Sequence, residues 1–224
     1  MPEARKPVKR SPFCSALQRA GAALTEIAGW VTADHFGDPP EALRAIRQRV
    51  GVCDRSFLPK FEIQGRDLAA ALGSAATAPG RVAAAEWGYV CRLSPDQALL
   101  VLGAVDAAPP AWLSEGKPRA DCIHIVERTH GYGALLLCGP AASAVLRKLT
   151  SLDTREEKFP DLSCATGPMA AVRVLLTRKD RAGLPAYEVF FSREHSEYLW
   201  TAVLEAGAEF ELRPFGFAAA RQLV

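Results

Sequence analysis

The chain lacks any long apolar run. Its longest stretches are short and interrupted, far below the roughly 20 residues that span a bilayer as a helix. It also lacks paired-cysteine motifs. The six cysteines are Cys14, Cys53, Cys91, Cys122, Cys138 and Cys164. None form C-x-x-C, and none has a histidine at zinc-finger spacing. They read as free, mostly buried thiols of a reducing cytoplasm. Cys122 and His124 would share one face of a strand, but the other histidines (His35, His130, His195) are scattered, and no metal is expected. A phosphate-cradling G-x-x-x-x-G-K is missing, as are G-x-G-x-x-G after a strand, H-E-x-x-H and G-x-S-x-G. These absences argue against metal hydrolysis and dinucleotide binding. The formal net charge is only +2, which offers no electrostatic case for nucleic acid or a membrane surface.

What remains is an ordinary globular composition, with 49% hydrophobic and 23% charged residues. The 224 residues suffice for one large domain or two small ones. Residues 1–12 read as a disordered basic tail, with Arg5, Lys6, Lys9 and Arg10 interrupted by Pro7. That stretch lacks the apolar core of a signal peptide. Residues 13–224 read as the folded part, and a cytoplasmic location is expected.

Ser15 to Ala28 is rich in alanine and leucine and predicts a helix. Pro39-Pro40-Glu41 opens another, with Leu43, Ile46 and Val50 at helical spacing and Gly51 as its stop. Gly29-Trp30 and His35-Phe36 then fall between two helices, as core packing or a pocket wall. Lys60 to Gln64 alternates as a half-buried strand does, and Asp67 is placed to cap a short helix. Tyr89 to Leu93 and Ala98 to Leu102 flank a Ser94-Pro95-Asp96 turn and predict a hairpin. Cys122 to Val126 and Gly133 to Cys138 predict strands, and Ala141 to Leu149 a helix. Pro160 to Pro168 reads as irregular. Ala171 to Leu176 and Ala186 to Phe191 predict strands about a charged turn, and Glu194 to Ala206 a helix. Strands joined by short turns must be antiparallel. The order therefore predicts an α+β fold with antiparallel sheets and ferredoxin-like β-α-β-β subdomains.

Glu188 stands out. On a strand it shares a face with Ala186 and Phe190, and a carboxylate among such neighbours needs a partner. A heterocycle with adjacent N–H donors, such as a pterin, would serve. So would an arginine, or water at a sheet edge. Cys53-Asp54-Arg55-Ser56 reads as an Asp/Ser turn or a charged pair at a pocket edge. Glu86-Trp87, just before Tyr89, reads as pocket lining or a core cap.

Several segments in order carry a resemblance. They are Ala28-Gly29-Trp30, Gly51-Val52-Cys53-Asp54-Arg55-Ser56, Phe61 to Asp67, Leu137-Cys138-Gly139-Pro140-Ala141-Ala142, Tyr187-Glu188-Val189 and Arg213-Pro214-Phe215-Gly216. Together they resemble the aminomethyltransferase (T-protein) family of the glycine cleavage system. The short form, with Ser151-Leu152-Asp153 to Leu176, resembles the gamma subunit of heterotetrameric sarcosine oxidase. The resemblance implies an aminomethyltransferase-like folate-binding domain of two intertwined subdomains over residues 13–224, without the family's C-terminal barrel.

It also implies tetrahydrofolate as cofactor, held by Glu188 with Tyr89, Trp87 and Arg221. Trp87 falls where the family has its essential aspartate, at the close of a G-G-x-x-D-D motif. Glu86 is then the carboxylate left to act in catalysis. The implied role is one-carbon metabolism, capturing one-carbon units from amine demethylation or glycine cleavage beside a flavin-dependent dehydrogenase or oxidase subunit. The alternative is a non-catalytic scaffold subunit that kept the fold and lost the ligand.

Overall fold

In a computed structural model of the chain, residues 9–114 and 122–223 are described. Their strands form three sheets, of six, five and three strands. The architecture is α+β, and every pairing longer than two residues is antiparallel. Lys9–Arg10, within the expected basic tail, form a short parallel strand against Trp30 and Val31.

The six-stranded sheet runs in the order Ser163–Met169, Val172–Arg178, Ala186–Ser192, Tyr132–Cys138, Gly51–Asp54, Arg213–Pro214. Helices Ala142–Leu149 and Ser196–Gly207 complete a β-α-β-β-β-α unit. Alternation along the strands separates the two faces of this sheet. Leu135, Leu137, Tyr187, Val189 and Phe191 pack with Val145, Leu146, Leu199 and Val203 of the two helices. The opposite face carries Ala134, Leu136, Cys138, Ala186, Glu188 and Phe190. Ala134 and Phe190 meet Tyr89, Leu99 and Val101 of the five-stranded sheet. Leu136, Cys138 and Ala186 meet helix Pro39–Gln48 and the Phe215 to Ala220 segment. Each fully buried large apolar side chain here contributes about 1.5–3 kcal/mol. Register places Glu188 opposite Leu136 on one side and Thr177 on the other, aimed between the sheets.

The five-stranded sheet runs Val82–Ala85, Gly88–Ser94, Gln97–Leu102, Lys60–Gly65, Ile123–Glu127. Its second face is covered by Leu68, Leu72 and Trp112. The predicted hairpin, the Pro39 helix and the Lys60 strand all form.

Three expectations are corrected. The Ser15 to Ala28 stretch is helical only over Cys14–Arg19. Gly21 then turns at a φ of 82°, and Ala23–Ile27 pairs as a strand with Trp30–His35. Trp30 and His35 are consequently strand residues rather than a link between helices. Pro160 to Pro168 is not wholly irregular, because Ser163–Met169 is a strand. It lies at the sheet edge, where proline's missing N–H is tolerated. Asp67 sits at the start of helix Leu68–Leu72 in a left-handed conformation and gives no side-chain cap.

Candidate functional site

A cavity of about 750 Å³ opens between the two large sheets. That size falls in the usual range for small-molecule sites, about 300–1,000 Å³. Ile27, Phe57, Leu58, Val105 and Phe217 supply apolar wall. Tyr89, Arg55, Lys179, Arg181 and Arg221 supply polar groups, as do Glu86 and Asp106.

Glu188 lies directly behind this lining, only 3% exposed. Its carboxylate accepts a hydrogen bond from the Tyr89 hydroxyl. Arg181 donates a second bond, Nη2 to Oε1, at 2.6 Å. The Arg55 Nε stands 3.9 Å from the same Oε1. Burial pushes the Glu188 pKa up, but the charges of Arg181 and Arg55 and the donated hydrogen bonds hold it below the ordinary glutamate value. Glu188 is therefore an anion among two cations. Its partners face the cavity, and its own oxygens are largely taken by them. Tyr89 responds oppositely: burial, then the neighbouring carboxylate, drives its pKa well up, so the phenol stays protonated as a donor.

Arg55 is held on the turn that follows strand Gly51–Asp54. Asp54 braces that turn, accepting from the Ser56 amide at 2.8 Å and from the Thr32 hydroxyl at 2.9 Å. Ser56 in turn accepts from the Ala134 amide at 3.0 Å. Beneath lies Lys60, wholly buried. Its ammonium donates to the carbonyls of Leu58 at 2.7 Å, Ser56 at 3.0 Å and Arg55 at 3.3 Å. Burial lowers the Lys60 pKa to about 7 against the opposing pull of Glu188 and Asp54.

Two buried donors are left over. The Nε atoms of Arg55 and Arg181 have no hydrogen-bond partner among the described residues. The Arg55 side chain is 7% exposed. Orphaned buried N–H groups of this kind call for an acceptor.

The residues singled out in the sequence divide. Glu86, Tyr89 and Arg221 line the one cavity, with the Arg221 guanidinium 5.7 Å from the centre of the Phe217 ring. Trp87 does not join them. It lines a second cleft with Leu72, Ala75 and Trp112, against the outer core of the five-stranded sheet. Trp30 stacks on His130 at 4.8 Å, a packing role. Lys60, Lys179 and Arg181 were not singled out as site residues. The charged turn from Arg178 to Gly183, just before Glu188, was the available signal for the last two. No group of three or more His, Cys, Asp or Glu suited to a metal occurs among the described residues.

Residues 80–223 match the GCVT N-terminal domain model. The chain belongs to this family. It is 28% identical over 232 residues to the aminomethyltransferase of Anoxybacillus flavithermus and 31% identical over 236 residues to that of Geobacillus thermodenitrificans. Both alignments cover 95% of this chain and 62% of the relative, so the chain spans less than two thirds of their length. Among solved structures, the glycine cleavage aminomethyltransferase T of Bartonella henselae superposes with a TM-score of 0.77 at 19% identity. That match covers 97% of this chain and 62% of that one. A chain of heterotetrameric sarcosine oxidase from Corynebacterium sp. U-96 superposes at 0.65 and 21% identity, over 90% of this chain and 96% of that one. At these identities the two superpositions speak for the fold.

Proposed function

We propose that the chain is a tetrahydrofolate-binding, aminomethyltransferase-like component of one-carbon metabolism. The observation that carries this reading is the cavity over the Arg55–Glu188–Arg181 cluster, with apolar walls wide enough for a fused heterocycle and the donor side chains of Arg55, Arg181 and Tyr89 in its lining. Those donors fit the oxygen and nitrogen acceptors and the carboxylates of a folate. When bound, tetrahydrofolate supplies the carrier for a one-carbon group. Arg55, Arg181 and Tyr89 bind and orient it, Phe57, Leu58 and Phe217 exclude water, and Glu188 fixes its three polar neighbours through its charge. Glu86, exposed at the cavity wall, is the carboxylate available for proton transfer there.

The chain works as one subunit of an assembly whose partner, a flavin-dependent dehydrogenase or oxidase, releases the one-carbon unit. The near-complete overlap with a chain of a heterotetrameric oxidase supports that assignment. Isothermal titration of the protein with tetrahydrofolate is the direct test. Saturable binding that weakens at least tenfold in Glu188→Ala is expected. Absence of binding, both alone and in the purified complex, removes the proposal.

A further inference from the structure

A wholly buried lysine needs partners for its charge. Lys60 opens strand Lys60–Gly65, and its Nζ lies 6.0 Å from the centre of the Phe190 ring on one side. On the other side it meets three carbonyls of the preceding turn: Leu58 at 2.7 Å, Ser56 at 3.0 Å and Arg55 at 3.3 Å. Arg55, Phe57 and Leu58 of that turn line the main cavity. The ammonium therefore sits behind the lining and grips its backbone.

The grip depends on the proton. An ammonium has three N–H donors, one for each carbonyl. The neutral amine has two donors and a lone pair. One of the three oxygens then faces that lone pair, and the two remaining bonds lose their charge assistance. Other ties hold the start of the turn, from the Arg55 amide to the Ala134 carbonyl and from the Ser56 amide to Asp54, both at 2.8 Å. Between Ser56 and Pro59, among the described residues, the backbone relies on Lys60 and on one long bond, from the Leu58 amide to the Arg55 carbonyl at 3.3 Å.

Burial lowers the Lys60 pKa to about 7, while Glu188 and Asp54 pull it up and Arg55 pushes it further down. Both forms are therefore populated near neutrality. Lys179, in the cavity lining, is a second lysine whose pKa burial lowers.

We propose that Lys60 is a positioning residue for the cavity: as an ammonium it fixes the turn of Arg55, Phe57 and Leu58, and as a neutral amine it releases that turn. Arg55 and two apolar wall residues then lose their set places beside Glu188. The fixed turn is the one that binds, so ligand binding and proton uptake by Lys60 favour each other. The ligand class rests on the folate reading; the behaviour of the turn does not.

Hydrogen exchange on the unmodified full chain tests the turn, between about pH 6 and 8.5, with intrinsic exchange rates divided out. A lysine of depressed pKa makes the whole fold more stable as pH rises. Release of the turn runs the other way. Protection of the Ser56 and Leu58 amides is expected to fall about tenfold, while Leu135 and Leu137 in strand Tyr132–Cys138 hold or gain protection. NMR of the lysine ε-carbons gives the midpoint that the turn must share. The Lys60 signal is told from that of Lys179 by its contact with the Phe190 ring. Turn amides that gain protection along with the core, or a Lys60 that stays charged throughout, overturn the proposal. Calorimetric titration with tetrahydrofolate tests the coupling. Affinity should fall about tenfold from pH 6.5 to 8.5, and Lys60→Arg, which stays charged, should flatten that dependence. Equal affinity at both pH values overturns the positioning role and leaves the folate reading standing. No binding at either pH removes the folate reading, and the exchange experiment alone then decides for or against Lys60.

Discussion

Glu86 and Trp87 are neighbours in the chain yet line different cavities. Glu86 faces the space over Arg55 and Arg181, and Trp87 faces the cleft shared with Trp112. The two residues form the tight turn between strands Val82–Ala85 and Gly88–Ser94, and their side chains leave it in different directions. Trp87→Ala is expected to destabilise the fold by about 2 kcal/mol, less than a fully buried tryptophan would. It should leave tetrahydrofolate affinity within a factor of about two. Glu86→Gln should do the opposite: no change in unfolding midpoint, and loss of one-carbon transfer in the assembled complex. Chemical denaturation beside calorimetric titration and turnover reads all of these. Unchanged turnover in Glu86→Gln removes that residue's catalytic role.

Glu188→Gln keeps the size of the side chain and removes its charge. Arg55 and Arg181 are then buried without an anion, and the loss should be about 3–5 kcal/mol by urea denaturation at pH 7. The folded Glu188 pKa is lowered, so its contribution is complete above the ordinary carboxylate value and disappears as pH falls through the lower folded value. Stability of the unmodified protein should therefore fall below about pH 4.5 more steeply than that of Glu188→Gln.

Lys60 predicts the opposite limb. Its pKa is depressed from 10.5 to about 7 in the fold. Between those values the unfolded chain binds the extra proton, so stability rises with pH across that window, by up to about 1.4 kcal/mol per unit. Lys60→Met should lack that component. Parallel unfolding curves at pH 7 and pH 9.5 measure the difference, and identical pH slopes for the two proteins would refute the assignment. The substitution also strips donors from the carbonyls of Arg55, Ser56 and Leu58, so weaker ligand binding should accompany it.

Gly216 lies where a Cβ would overlap the Asp34 carbonyl. Gly216→Ala should cost on the order of 2–4 kcal/mol, since backbone rather than a flexible side chain must yield. It should also displace helix Phe217–Ala220, which forms part of the cavity wall with Arg221. Increased hydrogen exchange confined to residues 34–36 and 215–221 would show it.

The sequence made the regular parts of the fold readable because local forces set them. The Ser94-Pro95-Asp96 turn fixes its hairpin, and the double proline fixes the start of helix Pro39–Gln48. The alanine-rich stretch misled because composition favours helix, while pairing with Trp30–His35 decides for strand over Ala23–Ile27. Ser163–Met169 was hidden by its glycine and proline, which only an edge position accommodates. In the site, Glu188 was legible as a carboxylate in need of a partner, on the correct face. Its partners were not. Arg181 lies seven residues away across the turn before the strand, Arg55 follows another strand of the same sheet, and Tyr89 is brought to the carboxylate only by the stacking of the five-stranded sheet on the six-stranded one.

Strand Gly51–Asp54 is wedged between Tyr132–Cys138 and Arg213–Pro214, both of which follow it far along the chain. During synthesis it leaves the ribosome with both hydrogen-bonding edges bare and keeps one bare until residues 213–214 emerge. Such distant pairing makes for slow folding and a sticky nascent state. The turn that carries Arg55 is attached to this late-secured strand, so the cavity it lines is among the last features that a newly made molecule acquires.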